Sequence, residues 1–307
     1  TTREHLETLG ATGFNRLSLG VQDFTPDVQE AVGRVQSCEE TADLVGLARR
    51  LGFDSINIDL IYGLPLQTPA AFERTLELVV AMRPDRVAAY SYAHVPWLRG
   101  QQRRIHEEQL PGPEVKVALY AAALRAFGDA GYVAIGMDHF AVPEDEMGRA
   151  AADGTLWRNF MGYTVKHAPD MVACGVSGIG DVSGAYFQHE RKLVDYERRV
   201  ESGELPVARG WVLSDEDRLR RHVITSLMCT SRVRVPEVEE RFGVRFWEAF
   251  AEERRALAPF ERDGLARVTE DRVELVGAGR IFVRNVCMVF DAYRRGQGSS
   301  ARFSRTV

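Results

Sequence analysis

Between residues 16 and 137 the sequence alternates four times between a short apolar run and a longer amphipathic run. The apolar runs begin at positions 16, 55, 86 and 132, so they lie 39, 31 and 46 residues apart. This spacing is typical of strand–helix units whose strands are parallel and whose crossovers are right-handed. The sequence therefore predicts an α/β fold with four parallel strands, which is fewer than the eight of a closed (β/α)8 barrel.

One of these runs carries a carboxylate. Asp59 lies in the segment Asn57–Thr68, within a β-branched stretch that is typical of a strand buried on both faces. A buried carboxylate needs a hydrogen-bonding partner or a ligand, because its desolvation is unfavourable. α/β enzymes place their chemistry at the ends of parallel strands, although a lone Asp can equally well cap a neighbouring backbone.

Polar residues recur at the ends of all four predicted strands. The members of this set are Gln22, Asp59, His94, and the pair Asp138 and His139. Because the carboxyl ends of parallel strands share one edge of a sheet, the set predicts a ligand-binding face. For both histidines, a hydrogen-bonded structural role remains as probable as a catalytic one.

After residue 140 the composition and the hydrophobic pattern of the sequence change. Residues 141–210 are rich in glycine and polar side chains, and their composition alone favours ordinary loops. The string GVSGIGD at 175–181 is not a dinucleotide fingerprint, because no strand–helix unit encloses it. From Ser214 onward the pattern predicts three amphipathic helices, a hairpin over 264–276 and a last helix ending near Gly296, which is a winged-helix order.

Composition excludes several classes of protein. With 307 residues, 45% of them hydrophobic, the chain can build a large core, and its net charge of −5 gives no electrostatic case for binding nucleic acid. No apolar run is long enough to span a bilayer and no signal-peptide pattern is present, so we expect a cytoplasmic protein without a membrane partner. The cysteines are scattered, with no C-x-x-C pair, and are expected to be reduced thiols rather than metal ligands.

Seven longer strings resemble one family, the oxygen-independent coproporphyrinogen III oxidases (coproporphyrinogen dehydrogenases) of the radical S-adenosylmethionine superfamily. They are GFNRLSLGVQDF at 13–24, NIDLIYGLP at 57–65, YAHVP at 92–96, IGMDHFA at 135–141, RNFMGYT at 158–164, VRNVCM at 283–288 and FSRTV at 303–307. The resemblance covers essentially the whole chain, and strings of this length are highly specific.

The resemblance implies a fold. It is the C-terminal part of a partial (β/α)6 TIM-like barrel in residues 1–140, active-site loops and a connection in 141–213, and a winged-helix-like α+β module in 214–307. The family also carries a C-x-x-x-C-x-x-C loop, whose thiolates hold a [4Fe–4S] cluster, and no such string occurs here. We therefore expect the C-terminal portion of such an enzyme, with no metal ligands in this chain and no activity of the chain alone.

The resemblance also implies a reaction. A 5′-deoxyadenosyl radical derived from S-adenosylmethionine converts two propionates of coproporphyrinogen III to vinyl groups, giving protoporphyrinogen IX in anaerobic haem biosynthesis. The expected partners are this substrate and an electron donor such as flavodoxin or ferredoxin, and the expected state is a monomer. The family's haem-binding chaperone branch is the alternative, but it has an H-N-x-x-Y-W string where this chain has RNFMGYT.

Site residues follow from the matched motifs. The positions that match the family's contacts to two S-adenosylmethionine molecules are Gln22, Arg34, Asp59, Ala93 and Ile179. An Asp can accept hydrogen bonds from ribose hydroxyls or an amino group, and an Arg can pair with a methionine carboxylate. Phe160 and Met161 match positions near the substrate, where Met161 replaces a hydrogen-bonding Gln of the best-known branch. No catalytic residue is assigned.

A role in DNA binding is disfavoured for the helical module. Its arginines, such as Arg241, Arg245 and Arg254, are interleaved with glutamates. That pattern is typical of a solvated, salt-bridged face rather than of a surface that follows phosphates.

Overall fold

The computed structural model describes residues 1–295, which divide into two compact units. The first unit comprises Thr1–Asp153 and the second begins at Gly154. The FSRTV string and the expected helix end at Gly296 lie outside the described residues. The boundaries at residues 140 and 213 stay a prediction.

The first unit is an α/β layer. Its strands are β1 (Arg16–Gln22), β2 (Ser55–Tyr62), β3 (Arg86–Ser91), β4 (Val133–Gly136) and β5 (His139–Ala141), in the sheet order β1-β2-β3-β5-β4. Its α-helices are α1 (Arg3–Ala11), α2 (Pro26–Val32), α3 (Cys38–Arg50), α4 (Pro69–Met82), α5 (Pro113–Asp129) and α6 (Glu146–Asp153), with 3₁₀ turns at Gly100–Arg104 and Glu107–Gln109.

Local capping determines where the helices of this unit begin. Ser37 and Glu40 form the expected reciprocal capping box at the start of α3. At the start of α4, the Thr68 side chain accepts a hydrogen bond from the Ala71 amide, and Pro69 occupies the first helical turn. The residues that begin α3 and α4 therefore lie within one turn of each helix start, where the sequence alone displays them.

The fourth predicted strand is a hairpin instead of a single strand. β1, β2 and β3 are parallel as expected, but β5 pairs antiparallel with β3 and separates it from β4. The chain reverses at Met137 and Asp138, and Met137 adopts a left-handed backbone with φ of 42°. The prediction of one strand delivering Asp138 and His139 to a strand end was wrong, because the chain reverses through a left-handed backbone at Met137, a conformation that residues other than glycine seldom adopt.

Strand β2 has one apolar face, contrary to the prediction that it is buried on both faces. Ile56, Ile58 and Leu60 of β2 are fully buried in the core. Asn57 and Asp59 point to the opposite face and are half-buried. Ile61 also lies on this second face. Because it is apolar, the sequence of β2 does not show the regular alternation of apolar and polar residues that indicates a strand with one buried face.

The second unit contains three small antiparallel sheets. Its elements are β6 (Trp157–Asn159), β7 (Gly162–Thr164), β8 (Ile179–Val182), β9 (Ala185–His189), α7 (Leu193–Glu201), β10 (Val207–Val212), α8 (Asp215–Thr230), β11 (Arg232–Arg234), α9 (Val235–Phe242), α10 (Phe246–Ala249), α11 (Ala251–Arg262), β12 (Ala266–Val268), β13 (Arg272–Leu275), a 3₁₀ turn at Gly277–Arg280, α12 (Val283–Val289) and α13 (Ala292–Arg295). The sheets have the orders β6-β7, β10-β9-β8 and β11-β13-β12.

Four short strands, β6 to β9, lie within residues 157–189, where composition favoured loops. Their glycines serve close packing as well as turns. A Cβ atom built on Gly180 of β8 would lie 2.1 Å from Cζ of Phe187, the residue opposite it on β9. The glycine therefore makes room for an aromatic ring, and this is a reason for glycine that composition does not reveal.

The winged-helix-like order of the second unit is present, with two differences from the expectation. The helix predicted over 246–257 is broken at Phe250, and the last predicted helix is divided into a 3₁₀ turn, α12 and α13. The expected hairpin gains a third strand, β11. Phe250 packs against Phe246 and Phe290, so the break turns its ring into the core.

His222 of α8 gives this unit a pH-dependent stability. Burial is the main cause that lowers the pKa of His222, with Arg241 adding to it and Glu237 opposing it. Since the folded state disfavours the charged ring, the unfolded state binds more protons as the pH falls below about 6.5. We expect the free energy of unfolding in urea to fall from pH 7 to pH 5. The substitution His222→Gln should make this fall smaller, and it should change the free energy of unfolding less at pH 8 than at pH 5. An unchanged slope in the variant would contradict this.

Candidate functional site

The polar face of the first sheet carries a row of four residues at one level. Gly20 of β1 pairs with Asp59 of β2, Asp59 pairs with Ala88 of β3, and Ala88 pairs with His139 of β5. Residues paired in this way project from the same face of a sheet. Two polar side chains, Asp59 and His139, therefore alternate with two very small residues, Gly20 and Ala88.

Asp59 is held in this row by neutral donors. Its Oδ1 accepts a hydrogen bond of 2.8 Å from Asn57 Nδ2, and its Oδ2 accepts one of 3.1 Å from Ser18 Oγ. No cation lies within ion-pair distance of Asp59 in the described chain. The carboxylate is thus fixed in orientation and keeps lone pairs that can accept hydrogen bonds from a ligand.

Gln22 and Arg34 come together above Gly20. A Cβ built on Gly20 would lie 2.7 Å from Gln22 Nε2 and 2.9 Å from Arg34 Nη2. Arg34 Nη2 donates to the Gly20 carbonyl over 2.7 Å, and Gln22 ends β1 in a left-handed conformation at a bulge. The structure therefore brings Gln22, Arg34 and Asp59 around Gly20, and their role as cofactor contacts stays a prediction.

A buried network that sequence reasoning missed supports this strand end. Asp23 is only 1% exposed, and its Oδ1 accepts hydrogen bonds from the Thr25 amide at 2.6 Å and from Thr75 Oγ1 at 3.0 Å. Its Oδ2 accepts a bond of 2.6 Å from Gln67 Nε2. Gln67 Oε1 in turn accepts from the Gly63 amide at 2.6 Å. The network ties the ends of β1 and β2 to the start of α4.

Ala93 follows the end of β3, where a side chain holds the backbone. Gln102 Nε2 donates to the Ala93 carbonyl at 3.0 Å, and Gln102 Oε1 accepts from the Val95 amide at 2.6 Å. His94 lies between Ala93 and Val95 in the chain, and its Nδ1 is 3.4 Å from the hydroxyl oxygen of Tyr92. The structure thus places Ala93 at the carboxyl edge of the sheet and gives His94 a hydrogen-bonded position there.

His139 is oriented by its neighbour. Its Nδ1 lies 2.7 Å from Asp138 Oδ1, and the ring meets Tyr90 edge-on with centroids 5.7 Å apart. A carboxylate that accepts from Nδ1–H fixes the tautomer and the orientation of the imidazole ring. His139 therefore belongs to the row, although it reaches it from an antiparallel strand.

Ion pairs lie at the amino ends of the strands, on the same polar face of the first sheet. Arg86 Nε donates to Asp145 Oδ1 over 2.9 Å, and Arg86 Nη2 donates to Glu146 Oε1 over 2.8 Å. Glu146 also pairs with Arg16, through two contacts of 2.8 Å. These charges neutralise one another, so the polar groups available to a ligand are those toward the carboxyl edge.

The remaining predicted site residues belong to the second unit. Ile179 begins β8 and Phe160 lies in the β6–β7 turn, and both line a cavity of about 750 Å³ within this unit. Met161 is 86% exposed and does not line that cavity. The structure therefore brings Phe160 and Ile179 to one cavity and leaves Met161 on the surface.

The residues around Gly20 fit S-adenosylmethionine by the chemistry of their donors and acceptors. Arg34 keeps an edge of its guanidinium without a partner among residues 1–295, and that edge suits a carboxylate. Asp59 suits ribose hydroxyls or an amino group, and Gln22 both donates and accepts.

The residues that the structure describes do not fit an iron–sulfur cluster. No group of three or more His, Cys, Asp or Glu side chains capable of holding a metal ion occurs among them. Cys38, Cys174, Cys229 and Cys287 are all free. Burial raises the pKa of Cys229 to about 11 and that of Cys287 to about 12, which disfavours the thiolate form that binds iron.

These thiols should differ in reactivity. Cys174 is exposed, whereas burial raises the pKa of Cys229 and keeps its thiol protonated at pH 8. We expect iodoacetamide at pH 8 to modify Cys174 first and to leave Cys229 and Cys287 unmodified until the chain is unfolded in urea. Peptide mass spectrometry would measure this order. Early modification of Cys287 in the folded chain would contradict the burial described here.

None of the helices in residues 1–295 combines the length and apolar character that a bilayer crossing requires.

Comparison with known proteins defines the class first. A family model described as the Radical SAM superfamily matches residues 1–79, and one described as the HemN C-terminal domain matches residues 213–282. The parallel strands with a polar carboxyl edge therefore belong to a radical S-adenosylmethionine protein. S-Adenosylmethionine and a [4Fe–4S] cluster are the cofactors that this class implies.

The family follows from individual relatives. The chain is 39% identical to the oxygen-independent coproporphyrinogen III oxidase of Thermostichus vulcanus, over 96% of this chain and 91% of the relative. It is 44% identical to that of Pseudomonas aeruginosa, over 96% of this chain and 64% of the relative. The chain belongs to the oxygen-independent coproporphyrinogen III oxidase family.

A solved structure confirms the fold class. The coproporphyrinogen III oxidase (HemN) from Escherichia coli, a radical SAM enzyme, superimposes with a TM-score of 0.92 at 41% identity. The match covers 95% of this chain and 68% of that one. The predicted partial TIM-like barrel with a winged-helix-like module is therefore correct. The chain spans about two thirds of the length of the Pseudomonas, Salmonella and Escherichia relatives that it matches.

Proposed function

We propose that this chain serves in the oxidative decarboxylation of coproporphyrinogen III to protoporphyrinogen IX, in anaerobic haem biosynthesis. The observation that supports the proposal is the cluster of Gln22, Arg34 and Asp59 around Gly20, in a chain of this family. When bound, S-adenosylmethionine supplies the radical that removes hydrogen from a propionate side chain. We propose two such molecules per active site, as the family resemblance implies.

The chain's own residues bind and orient the cofactor. Arg34 pairs with the methionine carboxylate, Asp59 accepts from the ribose hydroxyls or the amino group, and Gln22 fixes the ligand at the end of β1. Ala93 contributes backbone atoms without steric bulk. Ile179 contributes an apolar contact, and Phe160 and Met161 are proposed to face the substrate. No step is assigned to the iron–sulfur cluster, because the described residues provide no ligands for it.

The proposed reaction also needs an electron donor. The electron donor is a flavodoxin or ferredoxin, the protein is a cytoplasmic monomer, and neither nucleic acid nor a membrane takes part. The arginines of the winged-helix-like module support the exclusion of nucleic acid, because Arg234 and Arg254 pair with Glu237 and Glu270.

An anaerobic turnover assay tests this function. The chain is supplied with coproporphyrinogen III, S-adenosylmethionine and a reductant, with and without the part of the Escherichia coli relative that it does not cover. We expect vinyl products, measured by chromatography after oxidation, only when that part is present and only with S-adenosylmethionine. Absence of product while the intact relative turns over would contradict the proposal, as would tight stoichiometric haem binding without vinyl formation.

A further inference from the structure

The second unit contains an open cavity whose wall includes four arginines. It has a volume of about 750 Å³, within the range of sites for drug-sized ligands, and Arg158, Arg209, Arg220 and Arg221 contribute to its wall. Since an arginine is always charged, its partners decide whether it is structural or available to a ligand.

Two of these arginines, Arg220 and Arg221, form ion pairs with carboxylates of the chain itself. Arg220 donates to Glu216 and Glu253 at 2.8 and 2.7 Å, and to a backbone carbonyl at 3.0 Å. Arg221 binds both carboxylate oxygens of Asp181. Their charges are neutralised, so they stabilise the wall of the cavity.

The other two have no carboxylate partner in the described part of the chain. Arg209 donates through Nε and Nη2 to the neutral amide oxygen of Gln188, at 2.9 and 2.6 Å. Arg158 lies over the Tyr163 ring, 4.7 Å from its centroid, and its Nη1 is buried without a hydrogen-bond partner. A buried polar group without a partner is unfavourable, and Arg158 contributes to the wall of the cavity, so a carboxylate bound in the cavity would compensate its charge.

The rest of the wall is largely apolar and aromatic. Tyr186, Phe187 and Trp211 line the cavity together with Phe160 and Ile179. Trp211 meets Tyr293 edge-on, with centroids 5.6 Å apart. Flat aromatic side chains bind the faces of conjugated or pyrrolic rings, so the cavity combines a surface for apolar rings with two anchors for carboxylates.

We infer that this cavity binds the substrate as a tetrapyrrole polycarboxylate, with Arg158 and Arg209 each pairing with a propionate side chain. The inference rests on the proposed function, because coproporphyrinogen III is the polycarboxylate concerned. It assigns Arg158 and Arg209 as residues that determine specificity for carboxylated tetrapyrroles, and it separates them from Arg220 and Arg221, which hold the fold.

Binding of a stable porphyrin tests the inference on the full chain. Coproporphyrin III is titrated into the parent and into Arg158→Gln and Arg209→Gln, with porphyrin fluorescence as the readout. Loss of a charge-assisted hydrogen bond should weaken binding by about 10- to 100-fold in each variant. Arg198→Gln, on the exposed surface of α7, removes the same charge outside the cavity and should bind like the parent.

The tetramethyl ester of coproporphyrin III keeps the ring and removes the charges. We expect the parent and both cavity variants to bind the ester equally, which also shows that the variants are folded. Unchanged binding of coproporphyrin III by both cavity variants, or an equal loss in Arg198→Gln, would overturn the inference and leave the proposed function standing. A parent that binds neither porphyrin would contradict both.

Discussion

Replacing Asp23 with alanine should lower the free energy of unfolding by about 3 kcal/mol or more. Asp23 is almost fully buried and accepts hydrogen bonds from the Thr25 amide, Thr75 and Gln67. Hydrogen bonds to a charged acceptor contribute about 1.5–3 kcal/mol each, and the substitution leaves buried donors on Thr75 and Gln67 without a partner. Urea unfolding followed by circular dichroism would measure the change.

The control for this experiment is Asp43→Ala, which removes a carboxylate from the exposed surface of α3. It should change the free energy of unfolding by less than about 0.5 kcal/mol. Asp23→Asn keeps the volume but directs an amide donor toward Gln67 Nε2 or Thr75, so we expect an intermediate loss. Equal stabilities for Asp23→Ala and Asp43→Ala would show that the network does not hold the strand ends.

The second large effect concerns Asp59. We expect Asp59→Asn to weaken the binding of S-adenosylmethionine by about 10- to 100-fold, because it removes the charge from an acceptor at the centre of the row. The substitution keeps the shape of the side chain and an oxygen for Asn57 or Ser18, so the fold should persist. Equilibrium dialysis with labelled S-adenosylmethionine measures the affinity.

Asp54→Asn is the matched control for Asp59→Asn. Asp54 precedes β2 at its other end, is exposed, and accepts a bond of 2.8 Å from Asn15 Nδ2. The same change of charge at that position should leave the affinity for S-adenosylmethionine unchanged. If both variants bind alike, Asp59 does not contact the cofactor.

Local chemistry explains which elements the sequence predicted well. The helices α2 (Pro26–Val32) and α4 (Pro69–Met82) each begin at a proline and are each followed by a left-handed residue, Gly33 or Arg83, which are local signals. The positions of β1, β2 and β3 also followed from their apolar runs. These features depend on neighbours within a few residues, which a single sequence displays.

Features that depend on distant partners could not be predicted. The Asp23 carboxylate meets Gln67 and Thr75, which are 44 and 52 residues away in the chain, so nothing near Asp23 indicated its role. The turn at Met137 and Asp138 needs a left-handed backbone at a methionine, which the sequence does not indicate, and the strand that follows it places His139 in the row. Tertiary packing decides both features, and one sequence does not show it.

The candidate site divides in the same way. The motifs indicated Gln22, Arg34 and Asp59, and the bulge at the end of β1 explains how they meet around Gly20. The cavity in the second unit was beyond the sequence, because residues as far apart as Arg158 and Tyr293 form its wall.

The central claim is that S-adenosylmethionine binds at the carboxyl ends of β1, β2 and β3. Hydrogen–deuterium exchange of the chain, with and without saturating S-adenosylmethionine, tests it most directly. The account predicts slower exchange of the amides in residues 20–24, 59–66 and 92–95, and unchanged exchange in 235–262. Unchanged exchange at all three strand ends, with the ligand bound, would contradict the account.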